Sequence, residues 1–65
     1  MTKRERIARA KRALKNSELT QGRAAMECGV SLPTFLKVLK EGLIIKDLEK
    51  RAATELWIRN NLEEK

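Results

Sequence analysis

The chain contains no histidine and no tyrosine, and only one residue each of cysteine, proline, tryptophan and phenylalanine among its 65 positions. Without imidazole, and with Cys28 as the lone thiol, there is no ligand set for a structural metal and no internal disulfide. Asp47 is the only aspartate and no glycine-rich loop follows a strand, so no nucleophile constellation, acid–base pair or nucleotide cradle can be named. Neither a catalytic residue, a metal, a cofactor nor a small-molecule ligand is expected. No apolar run reaches the roughly 18 residues of a membrane span, and the N-terminal charges have no apolar segment behind them. The expectation is a non-membrane, cytoplasmic chain.

What is abundant is positive charge, and its placement is uneven. The net charge is +6. Residues 1–16 carry Lys3, Arg4, Arg6, Arg9, Lys11, Arg12 and Lys15 against Glu5 alone, whereas the cations and anions of residues 17–42, and again of 43–65, cancel. The whole excess therefore sits in the first quarter, which suggests a polyanionic partner such as nucleic acid or an anionic surface. One domain spanning residues 1–65 is the most that this length supports, and a chain so short buries only about 60% of its unfolded surface. Help from a partner chain is expected.

Apolar periodicity gives an all-α chain of four helices, since β-branched and aromatic residues nowhere alternate over a strand's length. The first helix starts at Thr2 with a capping-box pattern to Glu5 and runs to about Lys15, with Ile7, Ala10, Ala13 and Leu14 on one side and the basic residues opposite. Asn16 and Ser17 interrupt it. A second helix, capped by Ser17 or Thr20, ends at Cys28, and Gly29 stands where a left-handed residue would stop it. Ser31 caps a third helix with Pro33 in its first turn and Gly42 as its stop. The last helix is expected from about Ile44 to about residue 63, with Ile44, Ile45, Leu48, Ala52, Leu56, Ile58 and Leu62 on one face, Asp47 and Glu49 in its first turn, and Glu55 paired with Arg59. Trp57 falls off that face, so it is either core or a contact with a second copy.

Two short helices about a tight glycine turn, over about residues 20–41, suggest a helix-turn-helix. Ala25 supplies the small residue four before Gly29, and Val30, Phe35 and Val38 stand where apolar groups pin the helices together. The segment Gln21 to Lys40 resembles the motif of phage Cro and repressor proteins and of Fis-type domains. "LTQGRAAMECGVSLPTFLKVLKEG" is also similar to the opening of excisionase-type and MerR-type domains. The chain departs from these patterns at Gly22, which weakens the first motif helix, and after Gly42, where no aromatic β-prone wing follows.

The resemblance implies roles for particular residues. Ser31, Leu32, Pro33, Leu36 and Lys37 would face base edges, with Thr34 beside them and Lys37 the best reader of guanine. Gln21, Arg23 and Lys40 would hold phosphates, joined by Arg4, Arg9, Lys11, Arg12 and Lys15 of the basic first helix. Each has a plainer alternative: Leu32 and Leu36 can be packing, the basic stripe a solvated face, Cys28 a small buried apolar group. The dimer contact is placed on the last helix at Leu48, Ala53, Leu56 and Trp57. The resulting expectation is a homodimer that binds double-stranded DNA at a short palindromic operator and represses transcription, with a phage- or plasmid-type origin suggested by size and resemblance. An architectural or recombination accessory protein shares the same binding chemistry. A protein-interaction or membrane-surface module is the third class, although the alanine-rich face of the first helix suits lipid poorly.

Overall fold

The computed structural model describes residues 2–62, so the predicted last-helix residue 63 lies outside the described part. Four helices and no strand make up this region: α1 (Lys3–Ser17), α2 (Gln21–Cys28), α3 (Leu32–Glu41) and α4 (Leu48–Leu62). The all-α expectation is met. Each boundary has a local cause. At the start of α1 the Thr2 hydroxyl accepts from the Glu5 N–H at 3.1 Å while the Glu5 carboxylate accepts from the Thr2 N–H at 2.9 Å. This closes the capping box that the sequence offers.

The other end of α1 differs from the sequence reading. The helix continues through Asn16 and Ser17 and stops at Glu18, which takes the left-handed conformation at φ 61°. Ser17 does not cap α2. Its hydroxyl donates to the Leu14 carbonyl at 2.7 Å and accepts from the Leu19 N–H at 3.1 Å, which serves the end of α1 instead. Thr20 is the cap of α2, accepting from the Arg23 N–H at 3.1 Å.

Between α2 and α3 the chain turns as expected at Gly29, whose φ is 75°. The Val30 N–H reaches back to the Ala25 carbonyl at 3.0 Å and the Gly29 N–H to that of Met26 at 3.0 Å, which satisfies the last carbonyls of α2. Ser31 then caps α3, accepting from the Thr34 N–H at 3.4 Å and donating to the Thr34 hydroxyl at 2.9 Å. Gly42 ends α3 at φ 67°.

α4 begins later than its apolar pattern implies. Asp47 caps it, its carboxylate accepting from the Lys50 N–H at 3.0 Å, so Ile44 and Ile45 belong to the connecting loop. The expected face of α4 is correspondingly out of phase at Leu48, Ala52 and Leu56, while Ile45, Ile58 and Leu62 of that set do meet the core. Thr54, Trp57 and Ile58 are the residues turned inward, while Leu48 and Leu56 are 69% and 55% exposed. A run that starts at Ile44 aligns the leucines every four residues, but the chain needs the 43–47 segment to cross from α3 to α4. Once the helix starts at Leu48, nothing requires the leucine stripe to face the core.

The core is built mostly from small residues. Ala10, Ala13, Ala24 and Cys28 are fully buried, Ala25 nearly so, and Phe35 is the one large ring with no exposed surface. Alanines let α1 lie close to both α3 and α4, and let α2 do the same. By contrast no Cα of α3 comes within 8 Å of a Cα of α4. Phe35 and Trp57 bridge that interval, meeting edge to face with centroids 5.8 Å apart and planes at 82°. Trp57, 8% exposed, is therefore a core residue of its own chain, the first of the two alternatives that its position off the leucine stripe leaves open. The remainder of the interval is a half-open cavity of about 310 Å³ between α1, α3, the 42–45 loop and α4.

Three left-handed residues in different surroundings give one testable contrast. Around Gly29 there is open space, whereas a Cβ on Gly42 would stand 3.0 Å from Lys3 Cγ, 3.2 Å from the Lys3 carbonyl oxygen and 3.3 Å from Ile7 Cγ1. Gly29→Ala should cost about 1 kcal/mol from backbone strain alone, Gly42→Ala about 2 kcal/mol or more, and Glu18→Gly should gain about 0.5–1 kcal/mol. Urea unfolding of the three variants checks the order.

Cys28 gives a second test. Burial pushes its thiol up from the ordinary 9.0 to about 11, with the Thr54 hydroxyl opposing the rise and the Glu27 charge adding to it. Above pH 9 the unfolded thiol ionises while the folded one stays protonated. The contribution is thus complete below about pH 9 and is lost as pH rises through the folded value. Relative to Cys28→Ala, the wild-type chain should lose on the order of 1–2 kcal/mol of stability between pH 9 and pH 11.

Candidate nucleic-acid interface

The face of α3 turned from the core is set by three inward residues. Phe35, Val38 and Leu39 are buried, which leaves Pro33, Lys37, Lys40 and Glu41 outward. Leu32, at 42% exposure, and half-buried Leu36 lie along one edge, and half-buried Thr34 along the other with its hydroxyl engaged by Ser31. Ser31 is exposed at the start of the helix. The residues expected to read base edges therefore share one accessible surface. The plainer reading of Leu36 holds in part, because it packs against the core cluster.

α2 packs on α3. Gln21 is exposed at its first position, and Arg23 is exposed but lies 3.7 Å from the Glu27 carboxylate one turn on. Such a loose surface pair is worth at most a few tenths of a kcal/mol and does not hold Arg23 away from an anion. Of the predicted packing residues, Ala25, Phe35 and Val38 are buried, and Val30 is half-buried against the core.

The basic helix divides into two groups. Arg4, Lys11, Arg12 and Lys15 are exposed. Arg9, expected among them, is instead turned toward α4, where its guanidinium meets the Glu55 carboxylate at 3.0 Å with both side chains partly covered. Glu55 thereby takes a partner on another helix and not the Arg59 expected one turn away. Arg6 is half-buried and donates from Nε to the Gly42 carbonyl at 3.1 Å, pinning the end of α3 to α1. Arg9 and the Asn16 amide, which donates to the Asn61 carbonyl at 3.0 Å, mark the α4 side of α1. Lys3 and Ile7, close to Gly42, mark the α3 side. Helical spacing then places Arg4, Lys11 and Lys15 on the flank that adjoins α3, with Arg12 nearer the α4 side.

On α4 the residues expected at a dimer contact separate likewise. Leu48, Ala53 and Leu56 are exposed, together with Ala52, and Trp57 is not. The cavity beside α4 brings together Arg6, Arg51 and Thr54, which the sequence does not single out. The one available signal is that Thr54 falls on the same helical face as Trp57 and Ile58. Among the described residues no group of acidic, histidine or cysteine side chains is placed to hold a metal ion, and no helix is long and apolar enough to cross a membrane. No family model, no curated protein and no solved structure matches this chain, so the meaning of its exposed basic faces rests on the residues themselves.

Proposed function

We propose that this chain is a sequence-specific DNA-binding regulator that acts as a homodimer and represses transcription by occupying its site. The observation that carries the reading is the outward face of α3. That helix is separated from α2 by a three-residue turn, shows Pro33, Lys37 and Lys40 to solvent, and is flanked by the exposed cations of α1. Lys37 is the base reader of this scheme, best matched to guanine O6 or N7, and Lys40 a phosphate contact. Ser31, Thr34 and the edge leucines add short polar and methyl contacts. Gln21 and the N-terminus of α2 offer donors to a phosphate. Arg4, Lys11 and Lys15 supply most of the backbone attraction. Arg9, held by Glu55, contributes little.

Homodimerisation draws support from α4. Its outer side exposes Leu48 and Leu56 two turns apart with Ala52 and Ala53 between them, among the polar Glu49, Arg59 and Asn60. Pairing of that side about a two-fold axis would set two α3 helices against successive major grooves, about 34 Å apart.

Two experiments test this. With about four phosphate contacts per subunit, log affinity for a selected operator should fall against log salt with a slope near −4 per subunit. Lys11→Gln with Lys15→Gln should flatten the slope by about 2, and Arg9→Gln should leave it unchanged. A slope indifferent to Lys11 and Lys15 removes α1 from the interface, and no operator recovered from a random duplex pool removes the DNA reading. Separately, Leu48→Glu with Leu56→Glu should convert the chain to monomer in sedimentation velocity without loss of helicity. A monomeric wild-type chain at tens of micromolar contradicts the dimer.

A further inference from the structure

The outer side of α4 carries two opposite charges besides its leucines. Glu49 and Arg59 are both exposed, and neither has an ion-pair partner among the described residues. One turn on from Glu49 stand Ala52 and Ala53, which offer no cation. One turn before Arg59 the Glu55 carboxylate is already engaged, by Arg9 at 3.0 Å. Helical spacing puts Glu49 and Arg59 about 15 Å apart along the axis, each within about 40° of the midline between Ala52 and Leu56 and on opposite sides of it.

Such a surface is complementary to itself. A two-fold axis at the level of residue 54, midway between 49 and 59, sets two copies of α4 antiparallel, with 49 opposite 59 and 52 opposite 56. Opposite charges then meet at both ends of the contact. In the middle, the methyl group of Ala52 leaves room for Leu56 of the other copy, so the axes can approach to about 8 Å. Parallel pairing would instead set Glu49 against Glu49 and Arg59 against Arg59, like charge on like. We infer that α4 pairs antiparallel with α4 of a second copy, Leu56 seated on Ala52 and each end closed by a Glu49–Arg59 ion pair. The inference rests on the homodimer proposed above and adds to it the orientation of the two chains.

A plainer role for the two charges makes different demands. Glu49 lies in the first turn of α4 and Arg59 in the last, where each suits the dipole of its own helix. Under that role alone, reversing both charges is worse than reversing either. Under antiparallel pairing the double reversal recreates both ion pairs with their signs exchanged. The order of the variants therefore separates the two.

Sedimentation velocity of the full chain over a range of concentrations, with circular dichroism to follow helicity, tests the pairing without DNA. Glu49→Arg and Arg59→Glu should each weaken dimerisation by about tenfold or more, since each sets like charges together at both ends. Mixing these two variants one to one should restore a dimer at least as tight as the wild type, because one chain then presents two cations to two anions of the other. The chain carrying both changes should pair with itself within about threefold of the wild type. Single reversals that dimerise as tightly as the wild-type chain, a mixture no tighter than its components, or a double reversal weaker than either single one overturns the antiparallel pairing while the homodimer stands. A wild-type chain that is monomeric at tens of micromolar overturns both.

Discussion

The contact between Phe35 and Trp57 is the constraint around which this small fold is arranged. They are the only two aromatic residues in the chain, and they meet each other. α3 and α4 have no close backbone approach, so the edge-to-face pair couples them through long side chains, while α1 and α2 couple them from the side through alanines. An edge-to-face arrangement adds roughly 0.5–1.5 kcal/mol to the burial of the two rings. Burial itself is the larger part, since truncating either ring to alanine ordinarily costs about 3–5 kcal/mol. In a domain of this length that approaches the whole margin of stability. The two rings thus fix the distance between α3 and α4, and with it how α3 is presented.

Small core residues have a second consequence, felt by the charges. Because Ala10 and Ala13 bring α1 against its neighbours, Arg9 beside Ala10 and Arg6 one turn before it are carried into the helix seams. Arg6 is caught by the Gly42 carbonyl and Arg9 by Glu55, whereas Arg4, Lys11 and Lys15 stay in solvent. Two of the seven N-terminal cations are therefore structural clasps, and the rest form the electrostatic surface. The clasp at Gly42 depends on a residue without a Cβ, since Lys3 and Ile7 occupy the space a side chain would need. One glycine therefore serves both the left-handed end of α3 and its docking to α1.

Local signals were the most legible part of the sequence. The Thr2–Glu5 box, the Gly29 turn, the Ser31 cap with Pro33 behind it, and the Gly42 stop each act through neighbours within six residues, and each is found where the pattern puts it. The outward residues of α3 came from the resemblance, which puts Phe35 and Val38 inside; spacing alone left Leu32 and Leu36 open and did not single out Leu39, which is buried as well. α4 was not legible. Its apolar residues lie on both sides, so periodicity favoured the leucine stripe, and only the tertiary gap that Trp57 fills reveals which side is inner. Arg9 escaped for a related cause: its partner Glu55 is 46 residues away in sequence, and no helix wheel carries that information. Glu18 gave no signal either, being a left-handed residue of a type that seldom adopts that conformation.

The two sides of α4 differ in what they cover. Leu48, Ala52 and Leu56 occupy the outer side, and Thr54 and Ile58 the inner, with Arg51 and Glu55 on the border toward the cavity. A second copy seated on the leucine stripe would cover the outer side. Covering the leucines would add apolar burial to a core made of alanines, where the single chain has least to spare. The cavity makes the opposite use of the same shortage. With too few large side chains to close the gap between α3 and α4, the chain leaves the space unfilled. Paucity of bulk thus accounts for both surfaces: apolar residues remain outside for want of a place within, and an apolar hollow remains inside for want of residues to fill it.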